Sequence, residues 1–249
     1  MLEVRDLKKY FSGIKAVDNV CIDVRKNEIV GLIGPNGAGK TTLFNAVTGF
    51  TPTTGGKVAF EGFDITALKA HEVARKGIIR TFQTPWGFPR MTLLENMLVF
   101  LKGTDAGFWS ALMRSKKVNT ITADTKDKII RVLETLALDK KRHDWVQDLS
   151  AGELKLMEIA RALMAEPKIF LMDEPAAGIN PAMQGTLIQL IRDLRMEGGT
   201  FLVVDHNLKF ICDICDRIYV MSDGRLLCEG PPDRVVCDKS VIECYIGNN

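Results

Sequence analysis

The sequence predicts an α/β fold, in which short apolar segments that read as buried strands alternate with longer segments of helical period. Three observations carry this. Glu28-Ile-Val-Gly-Leu-Ile33 is an apolar run that leads into Gly34-Pro-Asn-Gly-Ala-Gly-Lys-Thr41, a match to G-x-x-x-x-G-K-[ST], and 40–49 then reads as a short helix closed by glycine. Lys168-Ile-Phe-Leu-Met172 is a second apolar run and ends in Asp173-Glu174. Thr200-Phe-Leu-Val-Val204 is a third and ends in Asp205-His206-Asn207. Polar side chains therefore gather at the carboxyl ends of buried strands, where open α/β sheets place their ligands.

The remaining elements follow in chain order. Leu2-Glu-Val-Arg5 and 20–24 read as strands joined through Tyr10-Phe-Ser-Gly-Ile-Lys15, whose glycine marks a turn. Thr51-Pro-Thr-Thr-Gly-Gly56 is a breaker cluster, 57–60 a strand, and 68–76 a helix with Ala70, Val73 and Ala74 on its apolar face. Gly77-Ile-Ile-Arg-Thr-Phe-Gln83 reads as a strand ending on an amide. From 92 to about 149 the pattern becomes helix, polar loop, helix: Leu93, Leu94, Met97, Leu98 and Leu101 form one apolar stripe, and Ile129, Val132, Leu133 and Leu136 another. This predicts a helical subdomain inserted at about 90–160 in a single domain spanning 1–249. Ser150-x-x-Glu153 is a capping box opening a helix to 165, with Leu154, Met157 and Leu163 for its buried side. Asn180-Pro181 starts another helix, with Met183, Leu187, Leu190, Ile191 and Leu194 on one face and Gly198-Gly199 as its stop. Arg217 to Ser222 and Arg225 to Glu229 flank Asp223-Gly224, a hairpin signal, and a short helix lies near 241–246.

Composition narrows the function classes. The 249 residues are 46% hydrophobic and 26% charged, with a formal net charge of +2, which leaves no electrostatic footprint for nucleic acid. Met1-Leu-Glu-Val-Arg-Asp6 has no apolar h-region, so no secretory signal is expected. No apolar run reaches the roughly 18 residues of a membrane span, so none is expected. The cysteines at 21, 212, 215, 228, 237 and 244 sit mostly in apolar pattern; Cys212-Asp-Ile-Cys215 has no second pair or histidine cluster, so buried reduced thiols are expected rather than zinc.

The chemistry-bearing residues point to a polyphosphate. Gly34, Gly37 and Gly39 let the backbone curl so that N–H groups point inward, and the helix from Lys40 adds its positive end. Lys40 can reach β- and γ-phosphates, and Thr41 can offer a hydroxyl to Mg²⁺. A plain glycine-rich turn has no need of Lys-Thr at a helix start. Asp173 can hold Mg²⁺ through water, and Glu174 can orient or deprotonate the attacking water. His206 could hydrogen-bond a γ-phosphate or that water. Tyr10 and Phe11 suit either a core or a purine face, and Gln83 also fits a solvated strand end.

Together these residues resemble the nucleotide-binding subunit of an ATP-binding cassette transporter over almost the whole chain. Gly34 to Thr42 matches that family's Walker A motif, Gln83 its Q-loop, Leu149-Ser-Ala-Gly-Glu153 its signature motif, Phe170-Leu-Met-Asp-Glu174 its Walker B motif and His206 its switch histidine. The resemblance implies a P-loop NTPase (RecA-like) core with an N-terminal antiparallel β subdomain and an inserted α-helical subdomain. It implies ATP and Mg²⁺ as cofactors, with Glu174, His206 and Gln83 in catalytic roles. Nucleotide contacts would come from Gly34, Pro35, Asn36, Gly37, Ala38, Gly39, Lys40, Thr41 and Thr42, from Ser150 and Gly152 of a second subunit, and from Phe11, or else Tyr10, stacked on adenine. Metal contacts would come from Thr41, Gln83 and Asp173. Implied partners are a second such ATPase subunit, in a homo- or heterodimer, and membrane permease subunits met through a groove near Trp86 and Phe88, placing the chain on the cytoplasmic face of the cell membrane.

Finer features are similar to the longer, G-type ATPase of branched-chain amino acid importers: His71-Glu-Val-Ala-Arg-Lys-Gly-Ile-Ile-Arg-Thr-Phe-Gln83, Asp173-Glu-Pro-Ala-Ala-Gly-Ile-Asn-Pro181 and Val241-Ile-Glu-Cys-Tyr-Ile-Gly247. A urea or lipopolysaccharide system shares the same ATPase chemistry. A soluble cassette protein acting on DNA or ribosomes is disfavoured by the small net charge and the single cassette. Three positions depart from the family pattern: Ala151 and Glu153 replace the second glycine and the glutamine of the signature, and Asn180 stands where aspartate usually ends the D-loop.

Overall fold

Buried strands of uniform apolarity and amphipathic helices sort into two sheets and a helical unit in the computed structural model, which describes residues 1–81, 87–99 and 123–246. The elements are β1 (Leu2–Phe11), β2 (Ile14–Val24), β3 (Ile29–Ile33), α1 (Lys40–Val47), β4 (Gly55–Phe60), β5 (Phe63–Asp64), α2 (Ala70–Arg75), β6 (Ile78–Arg80), α3 (Leu93–Leu98), α4 (Ala123–Thr135), α5 (Ala151–Met164), β7 (Ile169–Asp173), α6 (Pro181–Met196), β8 (Phe201–Val204), α7 (Leu208–Ile214), β9 (Arg217–Ser222), β10 (Arg225–Gly230), α8 (Pro232–Val235) and α9 (Lys239–Ile246).

One sheet is antiparallel, in the order β2-β1-β4-β5; the other has the order β10-β9-β3-β8-β7-β6 and is parallel from β9 to β6. Every residue of β3, β7 and β8 is buried, as a parallel strand covered on both faces requires. The buried side of α1, with Leu43, Phe44, Ala46 and Val47, shares one core with Leu2, Val4 and Leu7 of β1 and with Leu32, Leu171 and Leu202 of the parallel strands. The phosphate-loop helix is thus held by both sheets.

Several local expectations are revised. The first two strands are longer than the sequence suggests, because their connection is the two-residue turn Ser12-Gly13 with φ of 41° and 95°, a geometry that lets both strands run to its edge. Gly55 and Gly56, read as breakers, open β4, and Gly55 pairs with Lys8 of β1. The helix expected over 68–76 is only Ala70–Arg75, and Ala74 is exposed, so Val73 alone anchors it. Cys21 and Cys237 are exposed rather than buried, whereas Cys215 is enclosed and burial pushes its thiol well up. The Asp223-Gly224 turn is as expected, with φ of 48° and 76° at its two residues.

The chain divides into two compact units, one of Met1–Gln83, Lys168–Ala177 and Ile191–Asn249, the other of Thr84–Pro167 and Gly178–Leu190. In the second, α3, α4 and α5 pack on one another through Leu93, Met97, Leu98, Ile129, Leu133, Leu156, Met157 and Ala160. Leu154 and Leu163 are only half-buried, and the enclosed side of α5 instead takes in Lys155, Glu158 and Arg161. Burial pushes Arg161 down to about 10. Asn96, fully buried, holds the start of this unit by accepting from Phe88 N at 2.8 Å and donating to Phe88 O at 3.1 Å. Among the described residues no helix is long and apolar enough to cross a membrane.

Candidate nucleotide site

At the end of β3 the chain turns back on itself because glycine permits it. A Cβ on Gly34 would lie 2.1 Å from Met221 O, and one on Gly39, at φ +97°, 2.2 Å from Ala16 O, so neither position admits a side chain. Gly39 then caps α1 with no side chain involved, leaving the first turn's N–H groups for a ligand. Lys40 Nζ donates to Gly34 O at 2.6 Å and Pro35 O at 2.9 Å, so the ammonium already lies across the loop it would share with a phosphate. Burial lowers its pKa, while the nearby Glu174 and Asp173 carboxylates oppose that fall. The side chain sits in a partly desolvated place, where charge–charge attraction is strong.

The acidic pair lies at the end of β7 in the same unit, Asp173 as the last strand residue and Glu174 just beyond it. Asp173 is buried and ion-paired to Arg80, Nη2 to Oδ2 at 2.7 Å, while its own N–H donates to Thr81 Oγ1 at 3.3 Å. Glu174 has φ of 49°, a left-handed backbone costing about 1–3 kcal/mol in a non-glycine residue, and its N–H donates to Val204 O at 2.7 Å. That bond continues the β7–β8 ladder and holds the strained residue in place. At the end of β8, Asp205 is fully buried; its Oδ2 accepts from Ala176 N at 3.0 Å and its Oδ1 from Asn207 N at 2.9 Å. Burial pushes the Asp205 carboxyl up, against those two N–H groups. His206, 63% exposed, points Nδ1 to within 3.9 Å of Glu174 Oε1 and 3.8 Å of Asp205 Oδ1.

A cavity of about 460 Å³ opens between the loop and Glu174, lined by Asn36 through Thr42, Glu174, Ile14, Lys15, Ala16, Asp223 and Gly224. The sequence does not mark the last five as site residues. The β9–β10 turn forms the floor: Gly224 N donates to Ala38 O at 3.2 Å and Gly224 O accepts from Asp18 N at 2.7 Å. Only the D-G pair itself signalled a turn there; nothing local told that it would lie under the loop. Tyr10 is engaged, its hydroxyl donating to Asp18 Oδ1 at 2.7 Å, whereas Phe11 is exposed with Lys9 Nζ 4.6 Å from its ring centre. The cavity wall on this side is Ile14 and Lys15 rather than either ring.

In the other unit, Ser150 is the N-cap of α5: Oγ accepts from Glu153 N at 3.3 Å, and Glu153 Oε2 accepts from Ser150 N at 2.9 Å and Ser150 Oγ at 2.8 Å. Glu153 Oε1 also meets Lys141 Nζ at 2.7 Å. Gly152 is buried in the first turn. Gln83 and Trp86 lie outside the described residues, and Phe88 is exposed.

A glycine cradle with a lysine across it, a histidine after the neighbouring strand and an acidic pair on the strand beyond it define a phosphate-loop nucleotide hydrolase. Residues 17–177 match the family described as ABC transporter. The protein of Archaeoglobus fulgidus that carries the name LivG is 40% identical over 249 residues, covering 99% of this chain and 95% of its own. The high-affinity branched-chain amino acid transport ATP-binding protein LivG of Escherichia coli K12 is 37% identical, with 99% and 98% covered. Among solved structures, the ADP conformation of MJ1267, an ATP-binding cassette of an ABC transporter, superposes with a TM-score of 0.85 at 38% identity, covering 99% of this chain and 98% of that one. The chain belongs to the ABC transporter family, as its ATP-hydrolysing subunit.

Proposed function

We propose that this chain drives uptake of branched-chain amino acids, working with a second cassette subunit and membrane permease subunits on the cytoplasmic face of the membrane. The observation that carries the reading is identity of 37–40% over 99% of the chain with proteins that bear LivG names, on a site whose loop, acidic pair and histidine all lie at the carboxyl ends of three neighbouring parallel strands. We read the chain as one ATP-binding domain, with the two units as its lobes.

The residues divide the chemistry. The N–H groups of Gly37 through Thr42 and the Lys40 ammonium hold the β- and γ-phosphates and disperse charge that builds up as the bond to the γ-phosphorus breaks. Thr41 and Asp173 supply the hard oxygen atoms that suit Mg²⁺, with Gln83 as a further amide ligand; Mg²⁺ when bound neutralises the phosphate oxygens. Glu174 orients the attacking water and takes its proton, and its strained backbone keeps the carboxylate next to His206, which holds the water or the γ-phosphate. Ser150 and Gly152, at the helix start that faces a second cassette subunit, close over the γ-phosphate held by that subunit, so that ATP joins two subunits and hydrolysis releases them. Phe11 reaches the adenine, and Trp86 or Phe88 anchors the permease.

Co-expression with the permease subunits and reconstitution with a leucine-loaded binding protein tests this: hydrolysis should rise with leucine, isoleucine or valine present. Stimulation by urea alone, or co-purification with no membrane subunit, would refute the assignment. In the same preparation Glu174→Gln should lower hydrolysis by roughly 10²–10⁴-fold while ATP still binds, the range of a lost general base.

A further inference from the structure

We propose that Arg80 is a positioning residue for the metal-bearing carboxylate, a fork that locks Asp173 to the phosphate-loop helix. This rests on the reading of the site as one for ATP with Mg²⁺. Arg80 ends β6, a strand that touches no nucleotide group in the scheme above. Its Nη2 donates to Asp173 Oδ2 at 2.7 Å and its Nη1 to Asn45 Oδ1 at 2.6 Å, with Thr48 Oγ1 at 3.4 Å. Asn45 and Thr48 belong to the last turn of the helix that begins at Lys40 and to its C-cap. The guanidinium carbon lies 5.5 Å from the Phe44 ring centre, and both side chains of the ion pair are 6% exposed. One planar group therefore bridges the far end of α1 and the acidic end of β7. The next residue, Thr81, adds a grip on the Asp173 backbone.

The arrangement goes beyond neutralising a buried acid. A lysine would supply that charge, but its ammonium is a single point on a flexible stem, whereas the guanidinium donates along two fixed directions to two different elements. Carboxylates that serve metals are oriented by such outer partners, whose loss typically lowers metal affinity about 10–100-fold. Charge alone predicts the opposite sign, since removing a cation beside a Mg²⁺ site should tighten the metal. Geometry and charge can therefore be told apart.

The experiment uses the full chain and the fluorescent nucleotide mant-ATP, titrated in excess EDTA and again with increasing Mg²⁺. Arg80→Lys and Arg80→Met should bind mant-ATP without metal within about twofold of the parent, since Lys40 and the loop are untouched. Both should need about 10–100-fold more Mg²⁺ for half of the metal-dependent gain in affinity. Asn45→Ala, which removes only one arm's partner, should shift the same midpoint in the same direction and less. If Arg80→Met does not fold, Arg80→Lys and Asn45→Ala carry the comparison. An unchanged midpoint, full rescue by lysine, or a tighter midpoint in Arg80→Met would overturn the proposal, as would equal losses with and without Mg²⁺. A parent that binds no mant-ATP in either condition would instead overturn the nucleotide reading, and this proposal with it.

Discussion

Two helices of this protein begin with the same physical problem and solve it in opposite ways. Both α1 and α5 start with N–H groups that have no partner within the helix. At α1 the cap is Gly39 in a left-handed conformation, no side chain caps it, and no carboxylate lies in its first turn. At α5 the cap is Ser150, closed by Glu153 in a reciprocal box that Lys141 reinforces. The first helix start is left open for an anion. The second carries its own. A phosphate brought to Ser150 has to take the place of the Glu153 carboxylate on that hydroxyl, so the two ends of the proposed ATP sandwich are unequal before any nucleotide arrives.

The largest effect should come from the open end. Lys40→Ala removes charge-assisted hydrogen bonds to two phosphates, each worth about 1.5–3 kcal/mol, so nucleotide affinity measured by calorimetry should fall by roughly 10²–10⁴-fold. Near-parental binding would break the contrast outright. At the closed end, Ser150→Ala should leave binding by the isolated chain unchanged and lower unfolding stability by about 0.5–2 kcal/mol, the usual cost of a lost cap, read from denaturant melts. Hydrolysis at concentrations where two copies meet should drop sharply; unaltered turnover would remove Ser150 from the partner's site.

Glu153→Gln separates the cap from the charge. Glutamine keeps a capping oxygen but loses the ion pair with Lys141, which is worth about 0.2–1 kcal/mol at such exposure, so stability should fall by no more than that at neutral pH. Burial pushes Glu153 up, but the Lys141 bond and the Ser150 N–H and hydroxyl outweigh it and hold the carboxyl below its usual range. A lowered carboxyl contributes stability above its unfolded pKa and loses it as pH falls through the folded value. The gap between parent and Glu153→Gln should therefore close in acid, checked by melting temperature against pH. A gap that widens there would show the ion pair to be irrelevant. Because glutamine holds Ser150 less strongly, the variant should also hydrolyse ATP somewhat faster; slower turnover would contradict the competition between carboxylate and phosphate.

What could be read without coordinates follows the same divide between near and far. The cradle of Gly34, Gly37 and Gly39, the Ser150–Glu153 box and the Asp223-Gly224 turn are each written within a few residues, and their chemistry depends on neighbours in sequence. The Arg80–Asp173 pair and the floor beneath Ala38 depend on which strands end up side by side. Arg80 looked like one more strand residue, since its partners come from a helix earlier in the chain and a strand much later. Apolar periodicity does not point to Lys155, Glu158 and Arg161, whose charged side chains are nonetheless buried.

The position of β3 in its sheet has a consequence for synthesis. Ile29 pairs with Phe201 and Val30 with Arg217, so the strand that leads into the phosphate loop has both neighbours in the last quarter of the chain. At about 5–20 residues per second, the ribosome supplies those neighbours on the order of ten seconds or more after the loop itself. A nascent chain carries the loop's sequence early and its floor late. The loop therefore gains the strands that flank it, and the turn beneath it, only when nearly all of the polypeptide has emerged.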